Sequence, residues 1–253
     1  MAIMSKSKLK LIRSLAHKKY RDEAKLFVAE GPKAVNELAR AFECEIIAAT
    51  PSYFSKHNDV HAKETFEVSE KEFERISMMK SAHEVLAVFK QRIEETPGLK
   101  NNVLQLALDG VQDPGNLGTI IRIADWFGIE DVYISVDSAD VYSPKTIQAT
   151  MGALARINVH RVDLEELIRK SKDSVEVIGT FLDGEDIYLT SLPESGLIVM
   201  GNEGEGISDK IRTLVNKRIR IPSFPSDRPT SESLNVAVAT AITCAEFRRR
   251  QNK

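Results

Sequence analysis

Leu104-Gln-Leu-Ala-Leu108-Asp-Gly-Val-Gln-Asp-Pro-Gly-Asn116-Leu-Gly-Thr-Ile-Ile-Arg122-Ile-Ala-Asp-Trp-Phe127-Gly-Ile-Glu-Asp-Val132-Tyr-Ile-Ser-Val136 carries the rhythm that decides the fold. An apolar run from Leu104 to Leu108 is strand length, and it ends in a loop over Asp109–Asn116 that contains Pro114-Gly115. A helix over about Thr119 to Phe127 follows, and then a second strand over Val132 to Val136. Further strands are expected near 157–162, 175–180, 197–200 and 218–221, with helices opening at Ser143-Pro144, near 164–170 and 209–215, and over about 234–249. Near-continuous apolar strands alternating with helices predict a parallel sheet covered on both faces. Ligands of such sheets bind beyond the carboxyl ends of the strands.

Three polar segments stand at those ends: Asn116-Leu-Gly118-Thr-Ile-Ile-Arg122, Gly201-Asn-Glu203-Gly-Glu-Gly206 and Ser233-Leu-Asn235-Val236. Each has a plain structural explanation, because Ser and Asn are common helix caps and an arginine on an apolar helix can reach to solvent. As a set of three in one chain they predict a composite site. The glycine loop is spaced G-x-x-G-x-G rather than G-x-G-x-x-G, and Glu203 and Glu205 would repel a pyrophosphate. A nucleotide-binding oxidoreductase is therefore disfavoured. Glycines that let backbone groups approach an uncharged base fit better. No G-x-S-x-G or C-x-x-C occurs, and no histidine lies near the three segments. His57-Asn-Asp-Val-His61 has paired-ligand spacing but lacks the glutamate of H-E-x-x-H, so no metal is expected.

The 253 residues allow two modest domains. Glu94-Glu-Thr-Pro-Gly-Leu-Lys-Asn-Asn102 reads as a linker, dividing a small α/β domain over 1–95 from a catalytic domain over 103–253, with 96–102 between them. In the first domain helices are expected over 5–16 and 32–41, and strands at 27–31, 46–49 and 85–89. Net charge is −2, yet residues 1–25 hold eight basic and two acidic side chains, and Arg248, Arg249, Arg250 and Lys253 follow at the other end. Basic ends on a mildly acidic body suit either a phosphate-binding surface or solvated helix faces. No apolar run is long enough for a membrane span. Residues 1–15 are basic without the apolar core of a secretory signal, and read better as an amphipathic helix than as a targeting peptide. The two cysteines, Cys44 and Cys244, have no partner spacing, which fits a reducing cytoplasm.

Taken together, Asn116-x-Gly118-x-x-x-Arg122, Ile198-Val-Met-Gly201-Asn-Glu203-x-x-Gly206-Ile207 and Ile221-Pro222 followed by Ser233-Leu234-Asn235-Val236-Ala-Val-Ala239 resemble the SpoU family of RNA ribose 2′-O-methyltransferases, in the SPOUT superfamily. Thr150-Met-Gly152-Ala153 is similar to the family's intermediate glycine segment. Lys19-x-Arg21 through Phe27-x-x-Glu30-Gly31 resembles the ribosomal-protein-like substrate-recognition domain of rRNA-directed members. The resemblance implies a deep trefoil knot and S-adenosylmethionine as cofactor, held by backbone groups of Gly201, Ile221 and Leu234. It implies a homodimer with rRNA, rather than tRNA, as substrate. It assigns catalysis to Asn116, Arg122, Glu203, Ser233 and Asn235, with Arg122 activating the ribose hydroxyl. Because a guanidinium stays protonated, Arg122 is expected to grip the adjacent phosphate and polarise the hydroxyl, with Asn116, Ser233 and Asn235 orienting Arg122 and the ribose and Glu203 pairing with the arginine. A tRNA methyltransferase, or a non-catalytic RNA-binding or ribosome-assembly factor on the same scaffold, are the alternatives. Two segments depart from the family pattern. Ser223-Phe-Pro-Ser-Asp-Arg-Pro-Thr-Ser-Glu232 is longer than the usual loop before Ser233, which bears on how cofactor or RNA is covered. Met79-Lys-Ser-Ala-His-Glu84 stands where many members have a Pro-Gln-Gly-like turn.

Overall fold

The computed structural model describes residues 4–57, 59–79, 83–92, 97–225 and 233–251. Residues 80–82 of the second departure, 94–96 of the expected linker, 226–232 of the long loop and the basic Lys253 lie outside them. In chain order the elements are α1 (Lys6–Ser14), α2 (Lys18–Ala24), β1 (Leu26–Glu30), α3 (Pro32–Leu38), β2 (Cys44–Ala49), α4 (Pro51–Lys56), β3 (Ala62–Glu67), α5 (Glu70–Ile76), β4 (Val85–Lys90), β5 (Leu104–Leu108) and α6 (Pro114–Trp126). They continue as β6 (Asp131–Ser135), α7 (Pro144–Thr150), β7 (Asn158–Val162), α8 (Leu164–Lys170), β8 (Val177–Asp186), β9 (Gly196–Met200), α9 (Asp209–Arg212), β10 (Lys217–Arg220) and α10 (Val236–Gln251).

The chain divides into two compact units, Met1–Ile93 with Asp140–Arg156, and Glu94–Ala139 with Ile157–Lys253. The first is built on a sheet ordered β1-β4-β2-β3, in which β4 runs antiparallel to β1 and β2 while β2 and β3 are parallel. Its core joins Ile12 and Leu15 to Val28, Ile46, Phe66, Phe73 and Val88. Helices α2, α4 and α5 and strand β3 were not expected. β3 buries only Phe66, so its charged sequence gives little sign of a strand. α5 is fixed by a capping box in which Ser69 and Glu72 exchange hydrogen bonds.

Arg21, counted above among the basic residues of the N-terminus, is 3% exposed. It donates to the carbonyls of Leu15 and Ala16 at 2.7 and 2.8 Å and pairs with Asp140. A guanidinium with these partners is committed to the fold. The segment Asp140–Arg156, read from sequence as part of the second domain, packs within the first unit. There Arg156 pairs with Glu37, and Gly152 (φ +91°) sits against the Glu37 side chain.

The second unit is a six-stranded sheet, ordered β10-β8-β9-β5-β6-β7, with every neighbouring pair parallel. Strands β5, β6 and β9 are buried along their whole length, as a sheet covered on both faces requires. α6 begins five residues earlier than the sequence pattern suggests. Asp113 caps it by accepting from the Asn116 amide at 2.8 Å, and Pro114 takes the first turn. Asn116 is thus a first-turn helix residue, not a loop residue. Leu117, Ile120, Ile121 and Ala124 bury one face of α6, and α10 packs beside it.

Candidate active site

All six strands point the same way, so the turns after β5, β6, β9 and β10 gather at one edge of the sheet. Pairing of β5 with β9 sets Leu108 opposite Met200. The loop that opens α6 therefore emerges beside the loop 201–208. Glu203 accepts a hydrogen bond from Asn116 Nδ2 at 2.7 Å, and Asn116 Oδ1 accepts from Asn235 Nδ2 at 3.0 Å. Asn235 Oδ1 in turn accepts the amides of Ala237 and Val238, capping α10. One residue from each of the three segments is thus joined in a single hydrogen-bonded chain. Its polarity is fixed at the Glu203 end, since a carboxylate only accepts and so turns the Asn116 amide nitrogen towards itself.

Arg122 and Ser233 stand outside this chain. Both are exposed, and Arg122 makes no hydrogen bond or ion pair with a described residue. Glu203 meets Asn116 rather than Arg122. Helix geometry gives the reason: six residues along α6 leave the two side chains about 120° apart around the helix axis. Arg122 instead shares an exposed stripe with Thr119 and with Trp126, which is 84% exposed.

Several residues not singled out in the sequence shape this edge. The Asn202 side chain accepts from the amides of Gly204 and Glu205 at 2.8 and 3.1 Å and donates to the Gly110 carbonyl at 2.7 Å, tying the β9 loop to the β5 loop. Buried Asp109 accepts the Ser208 amide at 2.7 Å, and Ser135 accepts the Gly110 amide at 2.8 Å. Arg161 donates to the carbonyls of Ser135, Val136, Ser138 and Ala139, holding the turn after β6. Asn202 lies inside the second quoted segment, but an Asn after a strand and an Arg within one are common enough that nothing in the pattern gives them this tying role. Gly201 is the expected close approach: a Cβ there would lie 2.2 Å from the Gly206 carbonyl carbon and 2.3 Å from the Ile207 nitrogen.

The backbone groups of Ile221 and Leu234 make no hydrogen bond to another described residue. With Gly201 they leave neutral donors and acceptors at the edge, suited to an uncharged heterocycle more than to a phosphate chain. Among the described residues no group of three or more His, Cys, Asp or Glu is arranged to hold a metal. His57 stacks on Tyr53 and meets Asn36 Nδ2 at 3.2 Å.

Residues 103–245 match the SpoU rRNA methylase family. The chain belongs to that family. Residues 6–87 match the MRM3-like substrate binding domain. Over 246 residues the chain is 29% identical to the 23S rRNA (guanosine(2553)-2′-O)-methyltransferase RlmP of Bacillus subtilis, covering 95% of this chain and 96% of that one. Among solved structures it resembles a TrmH-family RNA methyltransferase from Porphyromonas gingivalis, with 40% identity, a TM-score of 0.89, and 98% and 100% of the two chains covered. An AdoMet-bound rRNA methyltransferase from Sinorhizobium meliloti is 31% identical with a TM-score of 0.84, over 98% and 97% of the chains. Membership makes the chain an S-adenosylmethionine-dependent RNA methyltransferase with a SPOUT-type catalytic unit. No helix of the described residues is long and apolar enough to cross a membrane.

Proposed function

We propose that this protein transfers a methyl group from S-adenosylmethionine to a ribose 2′-hydroxyl of ribosomal RNA. The observation that carries the reading is the hydrogen-bonded chain Glu203–Asn116–Asn235, which ties the three family motifs into one site at the carboxyl edge of the sheet. Gly201, Ile221 and Leu234 would hold the cofactor through backbone groups, and S-adenosylmethionine supplies a sulfonium-activated methyl. What remains for the protein is to align a weak nucleophile and help remove its proton. Arg122, exposed and without a partner among the described residues, is free to take the phosphate beside the target ribose and polarise the hydroxyl. It stays protonated near neutrality and so acts as a positive charge, not as the base. Asn116, braced by Glu203 and Asn235, together with Ser233, would orient the ribose.

The active form is a homodimer in this reading. The stripe bearing Arg122 and Trp126 on α6, with Leu234 and Val238 exposed at the start of α10, supports such an interface. Arg122 faces away from its own chain's Asn116, which supports its acting across that interface. The family's trefoil knot would be formed by the last helix, α10, passing through a loop, and an experimental chain trace in which it passes through none would refute it. The free thiols of Cys44 and Cys244, both buried and pushed up by burial to about 12, fit a cytoplasmic setting.

The test is transfer of labelled methyl from S-adenosylmethionine to protein-free 23S rRNA and, separately, to total tRNA. Label is expected in the rRNA, with Arg122→Ala lowering kcat by about 10²-fold or more while cofactor affinity is kept. Label in tRNA alone would overturn the substrate, and an Arg122→Ala enzyme of full activity would overturn the assigned chemistry. Absence of cofactor binding would favour a non-catalytic factor.

A further inference from the structure

The first part of the loop that follows β10 is described: Ile221-Pro-Ser-Phe-Pro225. Within it Phe224 is 95% exposed, more than any other large apolar side chain among the described residues. Burying that benzyl group would be favourable. Such a side chain calls for an occupant that arrives later.

Position narrows the occupant. β10 is paired with β8 so that Arg218 stands opposite Gly179, which in turn stands opposite Val199 of β9. Beyond Arg218 the register shifts, with Ile219 opposite Glu185 and Arg220 opposite Asp186, but β10, β8 and β9 all run parallel, so Ile221–Pro225 leaves the sheet at the same edge as the loop bearing Glu203. β10 lies two strands from β9, about 10 Å across the sheet. Phe224, four residues beyond Arg220, can reach up to about 13 Å. It therefore stands within reach of the reaction edge. Pro222 and Pro225 fix the backbone φ on either side, so little conformational freedom is lost when the ring takes up a partner. Ser223 to Pro225 carry no charge, which leaves a π-face as the only strong recognition element of the turn.

Sequence-specific RNA recognition mostly targets single-stranded loops and bulges, whose unstacked bases need a new partner. Bases of unstacked RNA are held on aromatic side chains. We infer that Phe224 is a stacking platform for a nucleobase of the substrate RNA, either the target's own or an adjacent one. This rests on the methyltransferase reading above and adds a specific substrate contact to it.

The experiment compares the full-length wild type with Phe224→Ala and Phe224→Tyr on protein-free 23S rRNA, measuring RNA KM, kcat and the S-adenosylmethionine Kd. A base stacked on an aromatic ring contributes about 1–3 kcal/mol, so Phe224→Ala should raise the RNA KM about 5- to 150-fold. The cofactor Kd should stay within twofold, and Phe224→Tyr should restore the KM. An unchanged KM would overturn the inference. So would an equal loss of cofactor affinity, which would make the loop a cover for the cofactor, or conversion to a monomer, which would make Phe224 a contact between copies. Should the wild type methylate no RNA, the methyltransferase reading fails separately. Phe224→Trp titrated with a mixed-sequence oligoribonucleotide would then still decide the stacking: saturable quenching of its emission sustains it, and emission unchanged from that of Trp126 refutes it.

Discussion

Substituting Gly201 by Ala places a methyl group 2.2 Å from the Gly206 carbonyl carbon, 2.3 Å from the Ile207 nitrogen and 2.6 Å from the Gly206 oxygen. All three are backbone atoms, so no side chain can swing away, and normal contact needs a separation of about 1 Å more. That movement parts the Asn202–Gly206 pair, whose two amide–carbonyl bonds measure 2.9 and 3.0 Å. Losing both costs about 1–3 kcal/mol, and the overpacking adds about 1–3 kcal/mol. For a chain of this size the sum lowers Tm by roughly 4–24 °C. Two neighbours give the scale. A methyl group on Gly206 (φ +73°) would have nothing within 4 Å, so Gly206→Ala costs only the left-handed backbone, about 1–2 kcal/mol. Gly204 would meet only the Asn202 oxygen at 3.5 Å, so Gly204→Ala should stay within about 0.5 kcal/mol. Differential scanning calorimetry with cofactor titration should rank the loss Gly201 over Gly206 over Gly204, with at least a tenfold weaker S-adenosylmethionine Kd for Gly201→Ala. A Gly201→Ala protein with wild-type Tm and affinity would refute the close-approach argument.

Acid should weaken α10 through Glu246. Its side chain is 5% exposed, and hydrogen bonds from Arg249, opposed by burial and reinforced by Arg250, hold its carboxyl down at about 2. Because the folded value lies below the unfolded one, its stabilisation is complete above about pH 4.3 and is lost as pH falls towards 2. Tm measured against pH should therefore fall more gently over that window in Glu246→Gln than in the wild type, and parallel curves would count against the pairing. Asp131 adds to the acid limb with the same sign: burial opposes its charge, but Lys100 and His160 outweigh it and leave its carboxyl below the usual value. Trp126→Glu should shift the protein to monomer in sedimentation velocity at micromolar concentration and lower methyl transfer with it; a dimer of wild-type stability would move the interface elsewhere.

Sequence alone determined the parallel sheet of the second unit, because fully buried strands such as Leu104–Leu108 and Gly196–Met200 are written as nearly continuous apolar runs, interrupted in the first only by Gln105. It also determined which segments carry chemistry, since polar residues at the ends of such runs have few structural reasons to be there. Local signals were weaker in the first unit, where half-exposed strands and short capped helices such as β3 and α5 lack a strong period. The tertiary structure decided what meets what. Strand order sets β5 beside β9, which brings Asn116 to Glu203 across 87 residues and Asn235 to Asn116 across 119. It turned Arg21 inward to Asp140, assigned Asp140–Arg156 to the first unit, and aimed Arg122 away from the chain that joins the other motifs. A hydrophobic period records only how each segment must face a core. Which distant segments share that core is set by the packing of the whole chain, and no local stretch contains it.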